Sequence, residues 1–148
     1  PIYSLTELGR QTDGVLWALA QLGGRMAPDP KLKKPGHLRL VAVTLQSALR
    51  AVVPGGLGDL VVKMVLDGEA FTVRGAHRAE VSYGAPSNPA VVVTSSYELL
   101  MAAAGGELPF EKFRAEHVTI EGEPKAAAAF QQVMGRVMFD AFNAVSAG

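Results

Sequence analysis

Five consecutive residues, Ala90-Val91-Val92-Val93-Thr94, constrain this chain more than any other stretch. A strand with one wet face alternates apolar with polar side chains. This run does not, so it belongs inside a sheet or under cover on both faces. The chain beyond it is punctuated into short units. Ser95 with Glu98 three residues on makes a capping box for a helix over 96–104, which Gly105-Gly106 stops. Pro109 suits the first turn of a short helix over 109–116. Val118-Thr119-Ile120-Glu121 alternates as a strand, Gly122 turns the chain, and Pro124 opens a helix through Phe130, Val133, Met134 and Val137. Phe139, Phe142 and Val145 continue the apolar pattern and predict a final helix in the tail.

Upstream the same logic applies. Leu38, Val41, Leu45, Leu49 and Val52 form one helical stripe, ended by Pro54-Gly55-Gly56. The period then drops to two: Leu60, Val62, Met64 and Leu66 share a face, and Asp67-Gly68 is a strong hairpin turn before Phe71 and Val73 on the return strand. Residues 79–83 predict a further strand, and residues 84–89, with two prolines, a loop. The expectation is an α+β fold, an antiparallel sheet of about five strands covered by helices.

The first quarter of the chain differs. Leu5, Leu8, Thr12, Val15, Leu19 and Leu22 recur at spacings of three and four, the seam of a helix pair, and Gly23-Gly24 ends that helix. Leu16, Trp17 and Ala20 widen its apolar surface. Residues 26–37 hold Pro28, Pro30, Pro35 and Gly36 with Lys31, Lys33 and Lys34, a composition that sustains neither helix nor central strand. The expected organisation is therefore a head over 1–25, a linker over 26–37 and a body over 38–148. The chain opens at Pro1 without an initiator methionine, as expected of a fragment.

Composition narrows the function classes. The formal net charge is zero, which gives no global attraction to nucleic acid. The basic side chains are concentrated in the head: residues 1–40 carry Arg10, Arg25, Lys31, Lys33, Lys34 and Arg39 against Glu7, Asp13 and Asp29. No cysteine is present, so disulfides, thiol nucleophiles and Cys-ligated zinc are excluded, and a cytoplasmic setting is expected. No apolar run reaches the ~20 residues of a membrane-spanning helix, so no membrane insertion is expected. His37, His77 and His117 lack any spacing that puts two ligands on one helical face, so no metal is expected. No G-x-S-x-G supports a serine nucleophile, and Gly55-Gly56-Leu57-Gly58 precedes a strand, whereas a phosphate cradle needs a helix after its glycines. No cofactor and no enzyme activity are expected.

The residue is an apolar surplus. Met64, Met101, Met134 and Met138 join Phe71, Phe110, Phe113, Phe130, Phe139 and Phe142 in the body, and flexible thioethers beside aromatic rings suit a cavity that adapts to an apolar ligand.

Residues 38–138 resemble the sterol carrier protein type-two superfamily. The resemblance is carried by Val91-Val92-Val93-Thr94-Ser95, the helix 97–105 ending in Gly105, Phe110-Glu111-Lys112-Phe113, Val118-Thr119-Ile120-Glu121-Gly122-Glu123, and the helix over 126–134. It implies a tunnel between sheet and helices for an acyl chain, sterol or other small apolar molecule, with Leu45, Leu49, Met64, Phe71, Leu100, Met101, Phe110, Phe113, Phe130, Met134 and Met138 as candidate ligand-binding residues. The head, Tyr3-Ser4-Leu5-Thr6-Glu7-Leu8-Gly9-Arg10 running into Val15-Leu16-Trp17-Ala18-Leu19 and Gly23, is similar to the end of an HxlR-type winged-helix regulator: last wing strand, Leu-Thr-x-x-Gly helix start, long dimerisation helix. That resemblance implies a homodimer through Leu8, Val15, Leu19 and Leu22, with DNA reached only through an upstream recognition helix that this chain lacks. Together they imply the ligand-sensing and dimerisation portion of a bacterial transcriptional regulator. The alternative is a stand-alone carrier of apolar ligands.

Overall fold

The computed structural model describes residues 38–104 and 107–143, and in the head residues 9, 12, 14, 15, 18, 19 and 22. Leu8 and the linker 26–37 lie outside the described residues. In order, the elements are α1 (Leu38–Val52), β1 (Val62–Leu66), β2 (Glu69–Arg74), β3 (Glu80–Tyr83), β4 (Val91–Ser95), α2 (Tyr97–Ala104), α3 (Phe110–His117), β5 (Thr119–Gly122) and α4 (Pro124–Asn143).

The strands form one sheet in the order β3-β2-β1-β4-β5. As the apolar run requires, β4 lies inside, flanked by β1 and β5. Helices cover the sheet as expected, and three of its ladders are antiparallel, but β1 and β4 run parallel, with Val62 opposite Val91 and Met64 opposite Val93. The sheet is therefore mixed. Two successive hairpins carry the chain outward through β2 and β3, and residues 84–90 bring it back to start β4 in the direction of β1.

Alternation decides which face is dry. Val62, Met64 and Leu66 of β1, Phe71 and Val73 of β2, and Val91 and Val93 of β4 are buried on one face, and Leu45, Ala48 and Leu49 of α1 with Phe130 and Val137 of α4 close over them. Val92, pointing the other way beside Lys63 and Glu121, is only half-buried. One dry face suffices for this run because its neighbours on both sides bury the backbone.

Local chemistry holds the corners. Asp67 (φ 50°) and Gly68 (φ 85°) adopt the left-handed pair that a two-residue hairpin demands. The Tyr97 amide at the start of α2 donates to the Asp67 carboxylate at 3.2 Å. The helix cap is Ser96, whose Oγ accepts from the Leu99 amide at 3.3 Å, and not Ser95 as the sequence pattern suggests. Ser95 is the last residue of β4, and its hydroxyl donates to the His117 carbonyl at 2.9 Å. Pro109 sits just before α3 as its N-cap and not inside it. At the far edge, α1 fastens β3: the Val81 amide donates to Gln46 Oε1 at 3.0 Å and Arg50 Nε to the Ala79 carbonyl at 2.8 Å. This occupies edge groups that would otherwise invite strand pairing. Over residues 139–143 the expected tail helix is a continuation of α4, since neither proline nor a glycine pair interrupts residues 135–143; Val145 lies outside the described residues.

Gly122 ends β5 with φ 133°, and a Cβ there would overlap the Ala90 carbonyl oxygen. Gly122→Ala should lower stability by at least about 1–3 kcal/mol from the backbone strain alone, read as a fall in the urea midpoint at unchanged m-value.

Candidate ligand-binding cavity

The apolar side chains divide into two clusters. The larger is the sheet face under α1 and α4; the smaller joins Ala103 of α2, Phe113 of α3 and Met138 of α4, with Leu99, Leu108 and Phe110 packed against it. Leu100 and Val118 touch both. A cavity of about 50 Å³ lies in the seam between them.

Each wall follows from a periodicity. The sheet contributes Met64 of β1, Val93 and Ser95 of β4, and Ile120 of β5, all from the dry face, with Val118 just before β5. Helix α4 contributes Phe130, Met134 and Met138 at spacings of four, one stripe along its inner side. Helix α3 contributes Phe110, Phe113 and Arg114, and α2 contributes Leu100. The rings of Phe110 and Phe113 lie 6.3 Å apart, tilted by 40°.

Polar groups are few. The Ser95 hydroxyl is committed to the His117 carbonyl. Arg114 is exposed and pairs with Glu111 one turn earlier on the same helix at 2.7 Å. Gln131, half-buried on α4, completes the polar lining. Such a wall offers dispersion contacts throughout and orientation at one rim; it places no nucleophile beside a base. Among the described residues no group of three His, Asp or Glu side chains could hold a metal ion. No helix among them is long and apolar enough to cross a membrane.

Of the ligand-binding candidates, Met64, Leu100, Phe110, Phe113, Phe130, Met134 and Met138 come together around this cavity. Leu45, Leu49 and Phe71 instead seal the core between α1 and the sheet, and Phe71 stacks edge-on against Tyr83 at 5.3 Å. Met101 faces outward on α2, 43% exposed. Val93, Ser95, Val118 and Ile120 line it beyond the candidates, and their alternation phase marks them; Arg114 and Gln131 carry no such signal. In the head, Val15, Leu19 and Leu22 are 60%, 58% and 58% exposed.

The chain is similar to several solved structures. They include the UbiJ-SCP2 ubiquinone synthesis protein (11% identity, TM-score 0.41, covering 93% of this chain and 98% of that one). Palmitated SCP2L2 from Aedes aegypti matches at 22% identity and TM-score 0.47, over 60% of this chain and 86% of that one. The inverting sec-alkylsulfatase Pisa1 from Pseudomonas sp. matches at 13% and 0.49, over 74% of this chain and 18% of that one. SCP2 and SCP2-like domains are thus among the structural neighbours, and the chain spans less than a fifth of the alkylsulfatase. No protein-family model and no curated protein matches the sequence.

The smaller cluster depends on Phe113, 5% exposed at its centre. Phe113→Ala should destabilise it by about 3–5 kcal/mol. Hydrogen exchange should accelerate in α2 and α3 while the β1 and β4 amides keep their protection, because local opening draws on the weakest cooperative unit.

Proposed function

We propose that residues 38–148 are a sterol-carrier-like module that binds a small apolar molecule in the seam between the two clusters. The observation that carries this is the cavity wall: methionines and phenylalanines from three elements, β1, α3 and α4, converge on one void, and the adaptable thioethers of Met64, Met134 and Met138 are distributed around it. Binding, not catalysis, is the chemistry such a wall supports.

The void of about 50 Å³ is far below the ~300 Å³ of the smaller ligand pockets. A ligand therefore enters by displacing the α2–α3 cluster from the sheet, which is joined to the main core through Leu100 and Val118 and not fused with it. Such a ligand shifts the open and closed populations only by its differential affinity for them.

We further infer that the chain is the sensing and dimerisation portion of a transcriptional regulator, with a second copy of the chain seated on Val15, Leu19 and Leu22. Support comes from the heptad-like spacing of these residues, their exposure, and the likeness of residues 3–23 to the end of a winged-helix domain. In this reading DNA is contacted only through an upstream domain.

Native mass spectrometry of the purified full chain should reveal a co-purifying apolar adduct. Met134→Trp, which fills the seam, should weaken binding of an apolar fluorescent probe about tenfold or more while the fold persists; unchanged binding would remove the cavity from consideration. Sedimentation should show a dimer that Leu19→Glu dissociates. A wild-type monomer with the adduct retained would favour the carrier.

A further inference from the structure

A second recess lies at the opposite end of the sheet and shares no lining residue with the apolar seam. It is a groove of about 330 Å³ between the last turns of α1, Pro54 beyond them, residues 77–78 of the β2–β3 connection, and Gly14 of the head helix. Its size lies within the range of small-molecule sites.

Its chemistry is the reverse of the seam. Arg50, His77 and Arg78 line it, and no carboxylate among the described residues does. Arg50 is oriented by its Nε donating to the Ala79 carbonyl at 2.8 Å, and Arg78 stands beside it on the β2–β3 connection. A guanidinium carries five N–H donors. The C-terminal end of α1 contributes about half a negative charge, and each guanidinium carries a full positive one.

The second, independent observation is Ser47. Its residue is 3% exposed, it lines the groove, and its hydroxyl is buried with no hydrogen-bond partner. A buried hydroxyl left unmatched is costly, and a native structure that retains one calls for an explanation. An oxyanion in the groove supplies the missing acceptor.

We propose that this groove binds a compact organic oxyanion, a carboxylate or a phosphate, held by Arg50, Arg78 and the Ser47 hydroxyl. Gly14 makes the head helix one wall of the site. Occupancy therefore depends on how the head lies against the body, which gives the chain an effector site separate from its apolar cavity and independent of what that cavity binds.

The test is titration of the isotope-labelled full chain at constant ionic strength with sodium phosphate, phenyl phosphate, benzoate and uncharged benzyl alcohol, followed by amide chemical shifts. Saturable shifts at Ser47, Arg50 and Arg78 are expected with at least one anion and not with benzyl alcohol. The phosphate and benzoate arms separate the two chemistries. Arg78→Gln, on an exposed side chain, should weaken binding about tenfold or more in a protein that still gives a folded amide spectrum, and Ser47→Ala should weaken it severalfold. Lys125→Gln, an exposed cation on α4, should change it less than twofold. Absence of saturable shifts at these amides, or equal loss in Arg78→Gln and Lys125→Gln, would overturn the site.

Discussion

The parallel ladder between β1 and β4 is the contact on which the rest of the molecule depends. It places Val62, Met64 and Leu66 beside Val91 and Val93, so that one small area of sheet presents an unbroken apolar face. At roughly 25 cal/mol per Å² of apolar surface removed from water, side chains of this size contribute about 1.5–3 kcal/mol each when fully buried. Both layers of helix are placed by that face. Helix α1 reaches it from the β3 side and α4 from the β5 side, and they meet above it. Since β1 and β4 are parallel, the chain must leave and come back between them, and the two hairpins that carry it out build the other half of the sheet.

The seam and the groove follow from how the helices are distributed. Helices α1 and α4 cover the centre, while α2 and α3 cover only the end beyond β4 and β5. A two-helix cap with eight residues in each helix cannot bury a large core of its own. It makes a satellite cluster, and the imperfect fit between satellite and core is the cavity. At the other end, α1 is pinned to β3 through Gln46 and Arg50, and the polar side chains that do the pinning leave an electropositive recess beside them.

Elements whose period is unambiguous were legible in the sequence. The β1 alternation, the Asp67-Gly68 turn, the continuous run of β4 and the helical stripe of α1 each obey one rule that no tertiary contact overrides. Boundaries were less legible where two adjacent residues can do the same job. Ser95 and Ser96 are both able caps, and only the position of the strand end, which depends on the ladder to β1, assigns the cap to Ser96. The parallel sense of that ladder was likewise hidden, since strand direction depends on long-range pairing and leaves no periodic trace. For the site, apolar content identified the candidates but could not sort wall from core. Phe71 and Phe130 look alike in sequence and belong to the same core cluster, and only their placement across the sheet, Phe130 on α4 and Phe71 on β2, puts one on the void and not the other.

The size of the cavity bears on how the proposed ligand would be accommodated. By the scaling of about 24 cal/mol per Å³ of empty volume, a void of about 50 Å³ costs about 1 kcal/mol, which a domain tolerates. Holding open the ~300 Å³ that a ligand needs, with nothing inside, would cost about 7 kcal/mol on the same scale. That is comparable with the whole stability of a typical domain, about 5–15 kcal/mol. On the proposed reading an expanded form would be populated only with its ligand, whose contacts would replace those lost between Leu100, Val118 and the two clusters. The elements that would have to shift are α2, α3 and the Met138 end of α4. Because α4 also packs against α1, whose far turns line the groove beside Gly14, a displacement of α4 has a direct mechanical route to the head.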